Sequence, residues 1–189
     1  VTPDVVAKIT LSPNNSVMAA GNGLQYSSTA YDIWNNVNSS VKTFAVNDSN
    51  ANINSSGFFT STAPGAYFVN VTVDGITVNT SFVTVTANNI ARIDLTPVAT
   101  TITAGAYQEF VSTGYDKWNN VNNTGVVIAS NDTSFNAINS TTANFTNTTS
   151  GIYQVNSSIG SVVNATLIKG NPADVASIAL APNNTLVAA

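Results

Sequence analysis

The chain repeats its own sequence at a spacing of 84 residues. The segment YDIWNN at residues 31–36 returns as YDKWNN at residues 115–120, and Val-Asn follows each copy. The last twelve residues, 178–189, match residues 9–20 in the same way. Self-similarity at a fixed period indicates that one structural unit is used several times. The sequence therefore predicts two complete units and the beginning of a third.

The repeat also predicts the domain boundaries. We expect a first unit at residues 1–87, a second at residues 88–171, and the first strand of a third repeat or a donor strand at residues 172–189. Each complete unit has the size of a small domain. A single strand cannot bury its own apolar residues, here Ile178 and Leu180. Two explanations stay open: a longer repeat array, or donation of this strand to a neighbouring molecule by β-augmentation.

Apolar residues within each unit recur with a period of two. Val69, Val71 and Val73 alternate with polar residues, and Ile93 and Leu95 flank an Asp. This alternation is typical of half-buried strands. Turn signals containing Gly, Pro and Asn separate the apolar runs every 8–12 residues or so. The pattern predicts an all-β fold of tandem immunoglobulin-like β-sandwiches with about seven strands each.

The duplicated YDxWNN segment reads as a structural loop between two strands. Asp32 and Asp116 are expected to accept backbone N–H bonds in a turn, and the Asn pairs tolerate left-handed φ. Trp34 and Trp118 are expected to clamp the loop against the end of the sandwich. A duplicated carboxylate site is the alternative, but no second carboxylate recurs beside either Asp. The structural interpretation is favoured.

A second duplicated motif is Gly-x-Tyr-x-Val, at residues 65–69 and 151–155. It resembles the tyrosine corner of immunoglobulin-like sandwiches, in which the Tyr hydroxyl bonds a nearby backbone group. The residues in that role are Tyr67 and Tyr153. The Cys that usually follows is a Val in each copy, so core packing must replace the disulfide.

Together these motifs carry a family resemblance. Ile-x-Leu-x-Pro at residues 9–13, Ala-Gly at 20–21, Tyr-Asp-x-Trp-Asn-Asn-Val at 31–37 and Gly-x-Tyr-x-Val at 65–69 all return in the second unit. The set is similar to the group 1 bacterial Ig-like repeat of the invasin and intimin type. The resemblance implies a tandem stalk of sandwiches on a cell surface, acting in adhesion or surface assembly. It implies no catalytic residues.

Composition argues against an enzyme. The chain has no His and no Cys, which removes imidazole and thiolate chemistry and most transition-metal sites. Glu109 is the single Glu, and the eight Asp are scattered through turns. Five Lys and Arg against nine acidic residues give no basic footprint for nucleic acid. We expect no catalytic residues, no cofactor, no metal and no membrane span in this segment.

Asn-x-Ser/Thr glycan acceptor motifs are about twice as frequent as chance predicts, since 28 Asn in this composition should give about 7. The 14 acceptors are Asn14, Asn38, Asn47, Asn54, Asn70, Asn79, Asn122, Asn131, Asn139, Asn144, Asn147, Asn156, Asn164 and Asn183. Every acceptor of the first unit has a counterpart in a later one. Either Asn-rich duplication preserved the motifs, or the chain is densely N-glycosylated. The density, with 7% charged residues, resembles archaeal S-layer proteins, pili and other filaments.

Two functions are compatible with these observations. The first is a non-enzymatic building block of an N-glycosylated extracellular filament, S-layer or surface stalk. Its partners would be copies of itself or adjacent repeats, with covalent N-glycans. The second is an adhesin module that binds a host or neighbouring cell through loops at the sandwich end. The stretch 139–150 differs most between units and is the candidate recognition loop.

Overall fold

A computed structural model describes residues 2–133, 135–137 and 139–179. Within this part of the chain the regular structure consists of strands and turns, without a helix. The chain divides into two compact units: Val1–Arg92 with Thr113–Thr124, and Ile93–Ser112 with Gly125–Ala189. The duplicated loop around Trp118 thus belongs to the first compact unit. The boundary expected from the repeat, between residues 87 and 88, stays a prediction.

Ten strands lie in the first part of the chain. They are β1 (Lys8–Ser12), β2 (Ser16–Ala19), β3 (Gly23–Gln25), β4 (Ser27–Tyr31), β5 (Val37–Asn38), β6 (Lys42–Val46), β7 (Ala51–Ile53), β8 (Phe58–Ser61), β9 (Gly65–Val73) and β10 (Ile76–Thr86). Their sheets have the orders β1-β4-β5, β3-β8-β7 and β2-β10-β9-β6. Neighbouring strands pair antiparallel except β2 and β10, which are parallel.

Eight strands follow. They are β11 (Ile90–Thr96), β12 (Thr100–Thr103), β13 (Tyr107–Asp116), β14 (Val127–Ser130), β15 (Phe135–Ala137), β16 (Thr142–Thr146), β17 (Gly151–Ile159) and β18 (Val162–Asn171). They form two four-stranded sheets, β11-β13-β16-β15 and β12-β18-β17-β14. The parallel pair returns here as β12 with β18.

The predicted alternation is confirmed in β9. Val69, Val71 and Val73 are fully buried, whereas Phe68, directly before Val69, is exposed. Successive side chains of a strand point to opposite faces, so one face of β9 lies on the core and the other does not. Val69 belongs to the main core cluster of the first unit, with Met18, Ala20, Tyr26, Phe59, Tyr67, Val83 and Val85, whereas Val71 and Val73 pack with Val6 and Ala30 in a second cluster.

The second unit has a core of its own, in the positions that the repeat predicts. Its buried residues are Leu95, Ile102, Phe110, Ile128, Ala143, Phe145, Val155 and Ile168. Val69 and Val155, where a disulfide would be expected, are both fully buried. Close packing and apolar burial therefore hold each sandwich together. The all-β, immunoglobulin-like fold class is confirmed.

The strand number exceeds the expected seven in each unit. One cause is a break in the first unit: β13 is continuous, but its counterpart is divided at Tyr26 into β3 and β4. Tyr26 is buried there, and its backbone N–H donates to Gly57 O at 2.8 Å. Its hydroxyl and that of Ser81 lie 3.2 Å apart in the core. The aromatic ring at the break is therefore part of the core, and its hydroxyl has a partner there.

The expected orphan strand is not seen in the part of it that the structure describes. Residues 172–179 have no assigned strand, and Ile178 exposes 87% of its side chain. No strand of the described chain pairs with this segment, so it lacks the hydrogen-bonded partner that would make it a β-strand. Leu180 and the rest of the predicted strand lie outside the described residues.

Candidate functional site

The first duplicated loop is built on the carboxylate of Asp32. One oxygen, Oδ1, accepts the backbone N–H groups of Trp34 at 2.9 Å and Asn36 at 2.8 Å. The other, Oδ2, accepts the Asn36 side-chain amide at 2.9 Å and the backbone N–H of Asp4 at 3.2 Å. Between them, Asn35 adopts a φ of 65°. The carboxylate therefore satisfies four donors and fixes the path of the chain around Trp34.

The second loop has the same construction around Asp116. Its Oδ1 accepts the N–H groups of Trp118 and Asn120, each at 2.9 Å. Its Oδ2 accepts the Asn120 side-chain amide at 2.8 Å and the backbone N–H of Asn88 at 2.9 Å. Asn119 takes a φ of 70°. Because the same bonds form in both copies, the six-residue motif determines the conformation of the loop.

Both carboxylates are shifted towards the ionised form. The Asn36 side-chain amide lowers the pKa of Asp32, and backbone N–H donors add to this effect against the opposing effect of burial. Burial raises the pKa of Asp116, but the bonds from the Asn120 side chain and three backbone amides outweigh it, so its pKa is also lowered. The chemistry of the two carboxylates is that of acceptors in a turn.

The two Trp side chains differ, which corrects the expectation that each one clamps its loop. Trp118 packs against the main core cluster of the first compact unit and covers the backbone of Gly21. Trp34, on a loop held by the same four carboxylate bonds, is 74% exposed. The motif fixes the loop backbone, but burial of the ring requires an opposing surface such as the one at Gly21. For Trp34 the predicted clamp is wrong.

The surface under Trp118 was not identified from the sequence. It consists of Gly21 with residues of β7, β8 and their flanking loops. Asn120 donates its side-chain amide to Thr62 O at 2.8 Å, and Asn88 donates to Ala20 O at 2.7 Å. The available signal was the Ala-Gly pair at 20–21, which the repeat copies at 104–105.

The hydrogen bond implied by the tyrosine-corner resemblance is present in each unit. Tyr67 donates its hydroxyl to Ala63 O at 2.9 Å, and Tyr153 donates to Thr149 O at 2.8 Å. The two rings also stack on the core, against Phe59 and Phe145 respectively. Each Tyr therefore fixes the loop before its strand while contributing to the core.

Four acceptor asparagines use the amide nitrogen that a glycan would occupy. Asn38 and Asn122 donate from Nδ2 to the backbone oxygens of equivalent residues, Asp4 at 3.0 Å and Asn88 at 2.9 Å. Asn147 donates to Asp132 Oδ2 at 3.1 Å, and Asn164 donates to Ile93 O at 2.8 Å. Asn38 is also buried. At these positions the side chain already serves the fold.

Five other acceptors are exposed: Asn14, Asn47, Asn54, Asn131 and Asn139. Asn54 and Asn139 are counterparts in the two units. Each uses Oδ1 to accept the N–H of the residue two positions on, at 3.0 Å and 2.8 Å. Among the bonds of the described residues, the Nδ2 atoms of these two asparagines donate none. The turn thus presents the nitrogen to solvent.

The remaining acceptors are less accessible or not described. Asn70, Asn144 and Asn156 are half-buried on strands. Asn79 lies in β10, but its side chain is outside the described part, and Asn183 is outside it altogether. The structure thus separates acceptors that are half-buried, buried or bonded through the amide nitrogen from acceptors that are exposed.

The described residues contain no group of three or more acidic side chains close enough to hold a metal ion. No described helix has the length and apolar character needed to cross a membrane.

Comparison with known proteins gives structural matches without sequence relatives. No family model matches the chain, and no curated protein matches it. The Escherichia coli adhesin FdeC matches with a TM-score of 0.55 at 15% identity, over 90% of this chain and 67% of that chain. At this identity the likeness concerns the fold alone, and it supports the all-β sandwich architecture.

Two further matches have lower scores. Domains 4 and 5 of the S-layer protein SbsC match at a TM-score of 0.44 and 18% identity, over 87% of this chain and 98% of that chain. A titin fragment, A168169, matches at 0.49 and 12%, over 88% and 99%. In a longer SbsC structure the match spans 28% of the neighbour's length.

Proposed function

We propose that this chain is a non-enzymatic building block of an N-glycosylated extracellular filament, S-layer or surface stalk, of the kind found in archaea. Its working units are the two sequence repeats, 1–87 and 88–171, and its partners are copies of itself or adjacent repeats. The observation that carries the proposal is the pair Asn54 and Asn139, two exposed acceptors in register with outward amide nitrogens. Dense glycans would supply the surface hydration that a chain with 7% charged residues lacks.

The structure also gives another physical reason for the excess of acceptor motifs. In Asn38, Asn54, Asn122, Asn139 and Asn147, Oδ1 accepts the backbone N–H of the Ser or Thr two positions on. This is the Asx-turn, which Asn favours independently of any sugar. The number of motifs therefore overstates the number of glycans. We propose the exposed acceptors as the modified ones.

Site-resolved mass spectrometry of the chain from its native source tests the proposal. The expected mass exceeds the bare 19.5 kDa and returns to it after glycan removal. Occupancy is expected to be highest at Asn54 and Asn139 and lowest at Asn38, whose buried amide is bonded to Asp4. Immunogold labelling of intact cells should place the chain outside. A bare mass, or label confined to the cell interior, would refute the proposal.

Substitutions in the Asn54 motif distinguish the effect of a glycan from the effect of the turn. Ser56→Ala removes the acceptor motif of Asn54 and the exposed bond from Ser56 Oγ but keeps the backbone N–H bond to Asn54 Oδ1, whereas Asn54→Ala removes the motif and the turn acceptor together. If Asn54 is glycosylated, Ser56→Ala lowers the mass by one glycan while its thermal stability without sugar changes little. The matched substitution at Asn38, Ser40→Ala, is expected to leave the mass unchanged.

Polymerisation by strand donation is a further proposal for how copies join. Ile178 is exposed and unpaired with any described strand, which is the state required of a donor before it meets a partner. Leu180 is proposed to be donated with it. A chain ending at Asn171 would then lose assembly while keeping both cores.

An adhesin module is the second candidate function. The fold likeness to FdeC, an Escherichia coli adhesin, favours it. Exchanging residues 139–150 with the corresponding stretch of the first unit distinguishes the two. Loss of cell binding with assembly unchanged would favour the adhesin, and unchanged binding would exclude this loop as the recognition element.

A further inference from the structure

The contact between Trp118 and Gly21 shows how the duplicated loop can bind a surface. Within the first compact unit, the ring of Trp118 lies directly over Gly21, so that any side chain at Gly21 would overlap it. The contact is completed by the bond from Asn120 Nδ2 to Thr62 O at 2.8 Å. A large aromatic ring thus packs on bare backbone, with an amide–carbonyl bond beside it that fixes its orientation.

The inserting loop is present in a second copy, and no described surface covers its Trp ring. The Asp32 carboxylate holds its loop by the same four bonds as the Asp116 carboxylate. Trp34 is nevertheless 74% exposed. Because the loop conformation is already fixed, little further ordering is needed for it to bind a surface like the one at Gly21.

A second copy of the receiving surface is also present. Gly105 has a φ of +88°, close to the +78° of Gly21, and its N–H bonds Asn147 O at 2.9 Å where that of Gly21 bonds Ser61 O at 2.7 Å. A Cβ built on Gly105 meets no described heavy atom within 4 Å. By the same register, Thr148 corresponds to Thr62, and its side chain is exposed.

We propose that the Trp34 loop of one copy docks on the Gly105 surface of a second copy of this chain. Trp34 would cover Gly105, and Asn36 would donate its side-chain amide to Thr148 O, as Asn120 does to Thr62 O. The inference rests on the proposed self-assembling role and deepens it by naming the two surfaces. Because they differ, the contact is heterologous, and such contacts propagate into rings or open filaments.

The contact is small, so its strength should be modest. One ring and one amide bury far less than the ~1,000 Å² of a stable interface, and association is expected at about 0.1–1 mM. Buried Trp residues are frequent hot spots, so Trp34→Ala should weaken association about tenfold or more. Val41→Ala, at a site 85% exposed outside the loop, is the matched control and should leave association unchanged.

Complementation between two defective chains gives the decisive test. Trp34→Ala removes the inserting ring and keeps the receiving surface, whereas Thr148→Arg obstructs the receiving surface and keeps the ring. Each chain, made without glycans, should sediment as a monomer at about 1 mM, while their mixture should form one-to-one dimers. Thr124→Arg, also on an exposed Thr, is the control for added charge and bulk.

Circular dichroism and thermal melts should first show that every variant keeps the unsubstituted fold. A wild-type chain that stays monomeric at about 1 mM, or a mixture that does not dimerise while the wild type associates, would overturn the inference. Association lost on ending the chain at Asn171 but kept in Trp34→Ala would assign assembly to the donated strand. Because the glycan-free chain is used, absence of glycans from the native protein would overturn the proposed function without affecting this readout.

Discussion

Single carboxylates determine the conformation of the duplicated loops. Asp32 and Asp116 each accept four hydrogen bonds, and these bonds depend on the ionised form, which accepts at both oxygens. Charge is otherwise scarce and His is absent. Few groups therefore change protonation between the folded and unfolded chain, which concentrates the pH dependence of stability in a few residues.

The free energy of unfolding should be nearly constant between about pH 5 and pH 9 and should fall on both sides. The pKa of both Asp residues is lowered by folding, so below about pH 4 the unfolded chain binds more protons and stability decreases. Burial raises the pKa of Tyr26, so its contribution is lost as pH rises above about 10. Urea unfolding at a series of pH values measures this profile.

The predicted loss of stability at acid pH, the acid limb of the profile, has a direct control. In the double variant Asp32→Asn and Asp116→Asn, no carboxylate remains in either loop, so stability should be lower at pH 7 and should decrease less between pH 5 and pH 3. An acid limb as steep as that of the unsubstituted chain would show that other carboxylates are responsible.

At the scale of strands, the tyrosine corners fix the entry to β9 and β17. The two corners differ in surroundings, because Tyr67 is 3% exposed whereas Tyr153 is half-buried. Tyr67 also lies 3.3 Å from the buried Ser61 hydroxyl. A buried hydrogen bond whose loss leaves an unpaired acceptor costs more than one that water can replace.

Tyr67→Phe should therefore destabilise the chain by about 1–1.5 kcal/mol and Tyr153→Phe by about 0.5 kcal/mol. Thermal unfolding measures both, with about 2–4 °C expected per kcal/mol in a chain of this size. Tyr107→Phe is the control, since Tyr107 is largely exposed. Equal effects at the two corners would contradict the role given to burial.

Much of the strand arrangement follows from local sequence. The alternation at Val69, Val71 and Val73 predicts a half-buried strand, and β9 confirms it because burial and period act together. The exposure of Trp34 did not follow from its motif. Its loop has the same carboxylate bonds as that of Trp118 but carries Ile33 in place of Lys117, whose ammonium lies 4.0 Å from the centroid of the Trp118 ring. Whether a glycine surface also faces the ring is not encoded in the local pattern. The division of β13's counterpart at Tyr26 was not predicted either, and the equally buried Phe110 lies in the continuous β13.

For the molecule as a whole, two separate cores follow from the duplication. Phe59 and Phe145 occupy equivalent central positions, and each is fully buried among residues of its own cluster. Neither cluster contains a buried residue of the other. Stability should accordingly be distributed between two sets of strands.

Phe59→Ala and Phe145→Ala should each cost about 3–5 kcal/mol, because a large buried ring is replaced by a cavity. Hydrogen exchange read by mass spectrometry should show lost protection in β8 and β9 for the first variant, and in β16 and β17 for the second. Equal loss in all four strands after either substitution would indicate a single cooperative unit.

The asparagine turns have an evolutionary consequence. At Asn122 the turn is held by the backbone N–H of Thr124, which any residue other than Pro would supply. Asp48 holds the same kind of turn through Asn50 without forming an acceptor motif. Exchanging the one Ser or Thr of such a motif can therefore add or remove a glycosylation site. The glycans of the molecule can change in this way during evolution while its fold stays the same.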